Sequence, residues 1–267
     1  MSITKEILRP INDTHSIKEA VITLFLSNPI IKPERFDALI KNEFKEVFQK
    51  FEPTSQVEFQ FKGKENGIVE GSAPLVQENV GFIFSKFDQG KTVAALQARN
   101  EVSRTFISYH SLDYSDWDIF FDEFIKLAST VANFHSQLFV NAFSLHYIDE
   151  FEWLNKGEID AKQVFNENAT LLPKDFFQSK VTNYQLVTLK SNSYEYYDRI
   201  EIKVEQRPKT FLTVSHNVVQ NLNDNVLMND LISSAKFKEM LYLAHEHNKK
   251  TLANIFREDV CSLIGLK

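Results

Sequence analysis

Glycine and proline are scarce in this sequence, seven of each in 267 residues, against average usage of about 7% and 5%. So few turn-forming residues argue against a sandwich of many short strands and favour long elements joined by polar loops. Scarce glycine also removes most chances for a phosphate-cradling loop, where backbone must approach a ligand without a Cβ in the way. There is one cysteine, Cys261, which rules out an intramolecular disulfide and a cysteine-based zinc knuckle. No run approaches the ~20 apolar residues needed to cross a bilayer. The opening residues MSITKEILRPINDTHS lack a signal-peptide core and cleavage site. The expectation is a cytoplasmic protein with no membrane partner. Nucleophile-elbow, Walker, dinucleotide and H-E-x-x-H patterns are all missing, so no catalytic residue is assigned from motifs.

What is present is phenylalanine, 24 residues of it, within a hydrophobic fraction of 43%. A chain of this size removes roughly three quarters of its unfolded surface from water, enough for a substantial core. Charged residues make up 25%, and the formal net charge is −6. That balance works against a broad attraction to nucleic acid. Glu58, Glu201 and Glu205 also fall among the outward residues of well-patterned strands, so no tight binding to duplex DNA is expected.

Hydrophobic periodicity divides the chain into a polar leader (1–16) and two halves, 17–136 and 137–267, as two domains or one continuous domain. In the first half a strand is predicted over 17–27 and a helix over 34–51, from the spacing of Phe36, Leu39, Ile40, Phe44, Val47, Phe48 and Phe51. Strands follow at 56–62, 80–87, 92–99 and 104–109. A strong helix then begins at Asp116, with Ser115 as its expected cap. The second half repeats the order: a strand over 138–148, a weak helix near 160–165, strands at 181–190, 196–205 and 211–219, and helices from 233 to 264. The predicted class is α+β, two related strand-helix-strands-helix halves forming antiparallel sheet with helices packed on one face. That order resembles one repeat of the TATA-binding-protein architecture, which carries no function with it.

Tyr114-x-x-Trp117-x-x-Phe120 at a helix start, then Leu145-His146-Tyr147-Ile148-Asp149 on the next strand, form a further pattern. With Ile17-Lys18-Glu19-Ala20-Val21 upstream and Ala244-His245 before Phe256, the chain resembles a sporadically distributed family of uncharacterised prokaryotic proteins of similar length. That family usually carries an Arg-Tyr-Ile-Asn-like run where this chain has His146 to Asp149. The resemblance implies no activity; its patchy distribution suggests mobile-element or defence association.

The residues read as ligand- or partner-binding candidates are Tyr114, Trp117, Tyr147, Tyr194, Tyr196 and Tyr197, since tyrosine and tryptophan give large contact area with few rotors. Trp117 is also expected to lie buried between its helix and the sheet. No metal or cofactor set is predicted. His245 and His247 at i, i+2 point about 200° apart on a helix, and Ser215 and His216 point to opposite faces of a strand. Asp118 and Asp122 read as a solvated helix face, and Arg99, Arg104, Arg199 and Arg207 as partners for nearby acids. The leading reading is a non-enzymatic interaction module acting on another protein or on its own copies. The alternatives are a small-molecule binder using the sheet face or the cleft between halves, and a hydrolase or nuclease whose site assembles only in space.

Overall fold

The structure, a computed structural model, describes residues 5–12, 14–58, 61–63, 69–71, 75–101, 104–155, 157–178, 183–192, 196–206 and 208–266. Within them the order is β1 (Leu8–Pro10), β2 (Ile17–Leu26), a 3-10 turn (Pro33–Phe36), α1 (Asp37–Asn42), β3 (Lys50–Glu58), β4 (Phe61–Gly63) and β5 (Val69–Gly71). Then come β6 (Leu75–Asp88), β7 (Lys91–Asn100), β8 (Thr105–Ser111), α2 (Trp117–Phe134), β9 (Phe139–Trp153) and α3 (Ala161–Val164). After a second 3-10 turn (Lys174–Phe177), β10 (Asn183–Asn192), β11 (Tyr196–Gln206) and β12 (Thr210–Leu227) lead to α4 (Met228–Ser233), α5 (Ala235–Ile255) and α6 (Glu258–Leu263). Phe59, Tyr194 and Arg207 lie outside the described residues.

Ten strands form one antiparallel sheet, ordered β10-β11-β12-β9-β2-β8-β7-β6-β3, with β1 added along the end of β9. β4 and β5 pair apart from it. Long hairpins carry most of the sheet. The β6–β7 turn places Gln89 (φ 47°) and Gly90 (φ 80°) in the left-handed region, which matches the right-handed twist of its strands.

Alternation along the strands sorts residues to two faces. Ala20, Ile22 and Leu24 of β2, Leu96 of β7, Tyr109 of β8 and Phe143, Leu145 and Tyr147 of β9 share one core with Phe120, Phe124 and Leu127 of α2 and Phe237 and Leu241 of α5. Phe237 meets Phe143 edge-on at 5.2 Å. A second core continues from the far end of β9: Phe151 and Trp153 pack with Ile200, Ile202, Leu212 and Val214, and with Val164, Leu252, Ile255, Val260 and Cys261. Cys261 is thus a small core residue. Among the described residues no helix is long and apolar enough to cross a membrane.

Two local expectations are corrected. The helix predicted over 34–51 is confined to residues 33–42. Its phenylalanine stripe is buried all the same, because tight turns (Phe44 N to Leu39 O, Phe48 N to Phe44 O) deliver Phe44 and Phe48 to the core. Phe51 and Pro53 are drawn into strand β3 opposite Phe84 and Phe82. β3 is the terminal strand, where a proline's missing N–H need not break a ladder. Helix α2 is capped one residue later than expected: Asp116, not Ser115, accepts from the Ile119 N–H at 3.0 Å.

Gly81 lies where β6 crosses β7 most tightly. A Cβ there would sit 1.9 Å from the Ala98 carbonyl oxygen, a clash with backbone that no rotamer relieves. Gly81→Ala is expected to lower stability by at least the ~1–3 kcal/mol typical of overpacking. Gly90→Ala meets open space and only the left-handed φ, costing about 1–2 kcal/mol. Urea unfolding of both variants checks the order; equal midpoints would show that β6 and β7 separate freely at Gly81.

Candidate functional site

A cavity of about 460 Å³ opens on the helix side of the sheet, between the start of α2 and the middle of α5. Its floor carries Asp149 of β9, its sides carry Tyr114, Trp117, Asp118, His245 and Asn248, and residues 14–17 and 264–266 close its ends. Strand alternation sends both Tyr147 and Asp149 to this face, while His146, Ile148 and Glu150 turn to the other. The 14–17 segment is pinned in place. Ile17 N–H donates to His15 Nδ1 at 3.2 Å, so the other ring nitrogen, 2.8 Å from the Tyr114 carbonyl, carries the proton and donates.

Three of the six candidate aromatics converge here. Tyr114 and Tyr147 are buried and meet edge to face at 5.9 Å. Tyr147 Oη lies 2.9 Å from His245 Nδ1. Trp117 is half-buried and stacks on the His245 ring at 4.6 Å. That corrects the expectation that it packs between its helix and the sheet: as the first residue of α2 it faces α5. Burial pushes both tyrosine hydroxyls well above their ordinary range and pulls His245 down to about 4, leaving a neutral aromatic wall.

The charge in this wall is Asp149. It is buried, and its Oδ1 accepts from Ser16 Oγ at 2.6 Å. Its Oδ2 has no hydrogen-bond partner among the described residues. Burial raises its pKa to about 6, partly offset by the Ser16 hydrogen bond and the nearby His216. An unpaired buried carboxylate is costly and is a marker of function when it lines a cleft.

Tyr196 belongs to a second group. Asp198 of β11 lies between His216 of β12 (Oδ1 to Nε2, 2.7 Å) and His247 of α5 (Oδ2 to Nε2, 2.9 Å), and the Tyr196 ring meets His247 edge-on at 6.1 Å. Burial alone would raise the Asp198 pKa, but the two imidazole hydrogen bonds hold it far below the usual range. His245 and His247 diverge as their spacing predicted: one faces Tyr147, the other Asp198. What sequence spacing could not give was the strand partners of His247.

Tyr197 turns to the sheet's other face, which carries paired polar groups. His110 Nδ1 lies 2.7 Å from Glu19, and His146 Nε2 lies 2.7 Å from Ser215 Oγ. Burial lowers His146 to about 4, with Glu19 opposing the shift. Ser215 and His216 are split between faces as predicted, but Ser215 finds its histidine across the ladder. His135 stacks on Phe36. Arg199 pairs with Glu201 and Arg99 with Glu101, as expected, whereas Arg104 sits over the Phe25 ring.

Comparison of the chain with protein-family models, with curated proteins and with solved structures finds no match.

Asp149 fixes a pH dependence. Its folded pKa of about 6 lies above the ordinary aspartate value of 3.8, so folding favours the protonated acid. The associated stability is present below pH 3.8 and is lost as pH rises through 6. The difference corresponds to about 3 kcal/mol. Asp149→Asn should flatten the stability profile between pH 4 and 7 and raise the melting temperature at neutral pH. An unchanged profile in urea titrations would show that Asp149 is solvated.

Proposed function

We propose that this protein binds a small cationic molecule, an amine or guanidinium compound, in the cleft between α2 and α5. The observation that carries this reading is the unpartnered Oδ2 of Asp149 beneath the cleft floor, closed off from solvent until a ligand parts the lining side chains. A carboxylate so placed accepts strongly from a charged N–H donor and loses its desolvation cost when paired. The rest of the lining fits. Asp116 and Asp118 add two carboxylates near the mouth, and the one ammonium in the lining, Lys249, is partnered by Glu246 at 3.2 Å. Tyr114 and Trp117 supply aromatic surface of the kind that attracts cations.

The two halves bear on this reading because the cleft lies between their long helices. Outward from the centre, β2, β8, β7, β6 in the first half correspond in order to β9, β12, β11, β10 in the second. Each series is accompanied by a long helix, α2 or α5, which follows its half's last strand in the series with only short α4 intervening in the second. That correspondence supports an internal duplication, with the ligand held where two related units meet. Paired charges on the other face (Lys18–Glu150, Arg199–Glu201, Lys203–Glu205) support the expectation of no tight duplex DNA binding.

Thermal shift and calorimetry at pH 7.5 with primary amines, guanidinium and quaternary ammonium compounds, and with matched carboxylates as controls, test this. A cationic ligand at 100 times its Kd should stabilise the fold by about 2.7 kcal/mol, and Asp149→Asn should weaken binding at least tenfold. Binding of the carboxylates instead, or equal affinity in the variant, would reject it.

A second reading, self-association through the sheet edge, is favoured by Val187 and Leu189. They are 47% and 56% exposed on β10, the terminal strand at that end of the sheet. Antiparallel addition of a second copy's β10 would cover them. Sedimentation should then show a dimer that Val187→Lys with Leu189→Lys returns to monomer. A concentration-independent monomer would exclude it.

A further inference from the structure

We propose that Asp198, His216 and His247 form a binding site for one divalent metal ion of the zinc class. Their donor atoms all lie within 4.8 Å of one another. They come from three elements, β11, β12 and α5, so the site exists only in the folded chain.

The hydrogen-bond pattern calls for positive charge at this point. His216 Nδ1 faces Asn248 Oδ1 at 2.7 Å. An amide oxygen only accepts, so as the amide is oriented Nδ1 carries the proton. A neutral His216 then turns an Nε2 lone pair toward the Asp198 carboxylate, acceptor against acceptor. His247 Nε2 approaches the other oxygen of the same carboxylate. With the amide oriented this way, a cation shared by the three side chains relieves the conflict at His216, whose side chain is 0% exposed; the opposite amide orientation would relieve it without one. One divalent ion satisfies two imidazoles and a carboxylate together, whereas protons alone would make His216 a buried imidazolium while His247 donates from a neutral Nε2–H.

The surroundings are those of a metal centre. Asn248 holds the remote nitrogen of His216, the usual arrangement for a ligating histidine, and the Tyr196 ring packs edge-on against His247. His247 is 41% exposed and provides a path for the ion. Neighbouring ligands on a tetrahedral zinc stand about 3.3 Å apart, given bonds of about 2.0–2.1 Å. The present separations of 2.7 and 2.9 Å therefore require each ring to part from the carboxylate by roughly half an ångström, which half-exposed His247 supplies for one contact and a small shift of the buried His216–Asp198 pair must supply for the other. Two nitrogen donors select against magnesium and calcium. Three protein ligands leave a position open for water or substrate, the pattern of a zinc ion that acts chemically.

The test is equilibrium dialysis of chelator-treated full-length protein against zinc, with the visible spectrum of the cobalt(II) form as a second readout. One equivalent is expected at micromolar affinity or tighter, with cobalt bands of a four- or five-coordinate nitrogen–oxygen site. His247→Ala, at a half-exposed position, and Asp198→Asn should each weaken zinc at least about 100-fold. His110→Gln, on the opposite face of the sheet, should bind as the unaltered protein does. Failure of folded, unaltered protein to bind a stoichiometric ion would overturn the proposal whatever the variants do. So would undiminished binding in either ligand variant, or equal loss in His110→Gln.

Discussion

Everything in this fold is registered against β9. The strand is hydrogen-bonded along one side to β2 and then β1, and along the other to β12. Its side chains alternate with period two, so a slip of one residue would exchange the whole set between faces. Phe143, Leu145, Tyr147, Phe151 and Trp153 fill two cores beneath the helices. The helices pack on the surface these residues make, and residues 14–17 are held by the ladder between β2 and β9. The central strand fixes the cleft.

The same alternation puts Asp149 between Tyr147 and Phe151. A hydrophobic residue there would join the two cores without interruption and relieve the chain of a buried charge. The energy set aside, about 3 kcal/mol at neutral pH, is a sizeable part of the 5–15 kcal/mol that keeps a domain folded. It is tolerated beside other polar burial. His216 and Asp198 sit one and two strands away, and Asn248 reaches down from α5 to His216. The boundary between the cores is therefore a polar layer running from the Ser16–Asp149 pair to half-exposed His247.

The large elements were legible in the sequence because burial imposes a period. Ile200, Ile202 and Val204 against Arg199, Glu201 and Lys203 could be nothing but a one-sided strand, and the Phe120–Phe124–Leu127 stripe could only be α2. Residues 34–51 misled because a helical spacing of phenylalanines is also met by successive tight turns, and the pairing of Phe51 and Pro53 with β6 is nonlocal. The aromatic candidates were found for a reason that only partly holds. Tyr114, Trp117 and Tyr147 do gather, but Tyr114 and Trp117 line a cleft and Tyr147 is buried behind it, instead of forming an exposed patch. Asp149 was quoted in the family-like run without being singled out, since nothing local distinguishes a buried aspartate from a solvated one. Reading it as the odd residue of a strand with Tyr147 and Phe151 inside was the available signal. Asp198 could have been found in the same way, one step before Ile200 and on its face.

Asn248 joins what are otherwise two separate sites. It lines the cleft, and its oxygen holds His216 in the Asp198 cluster. One amide cannot turn fully toward a cleft ligand and keep that hydrogen bond. An ion at Asp198 that fixes His216 would therefore also fix the cleft wall, and a cleft ligand that recruits Asn248 would release the ring. Linkage makes such an effect equal in both directions. The α5 helix is the rigid connection: Asn248 follows His247 directly and lies three residues from His245, so the cluster and the aromatic wall move with one backbone. The proposed cation cleft and the proposed metal site would then act as parts of one site, in which the amide of Asn248 sets how strongly each senses the other.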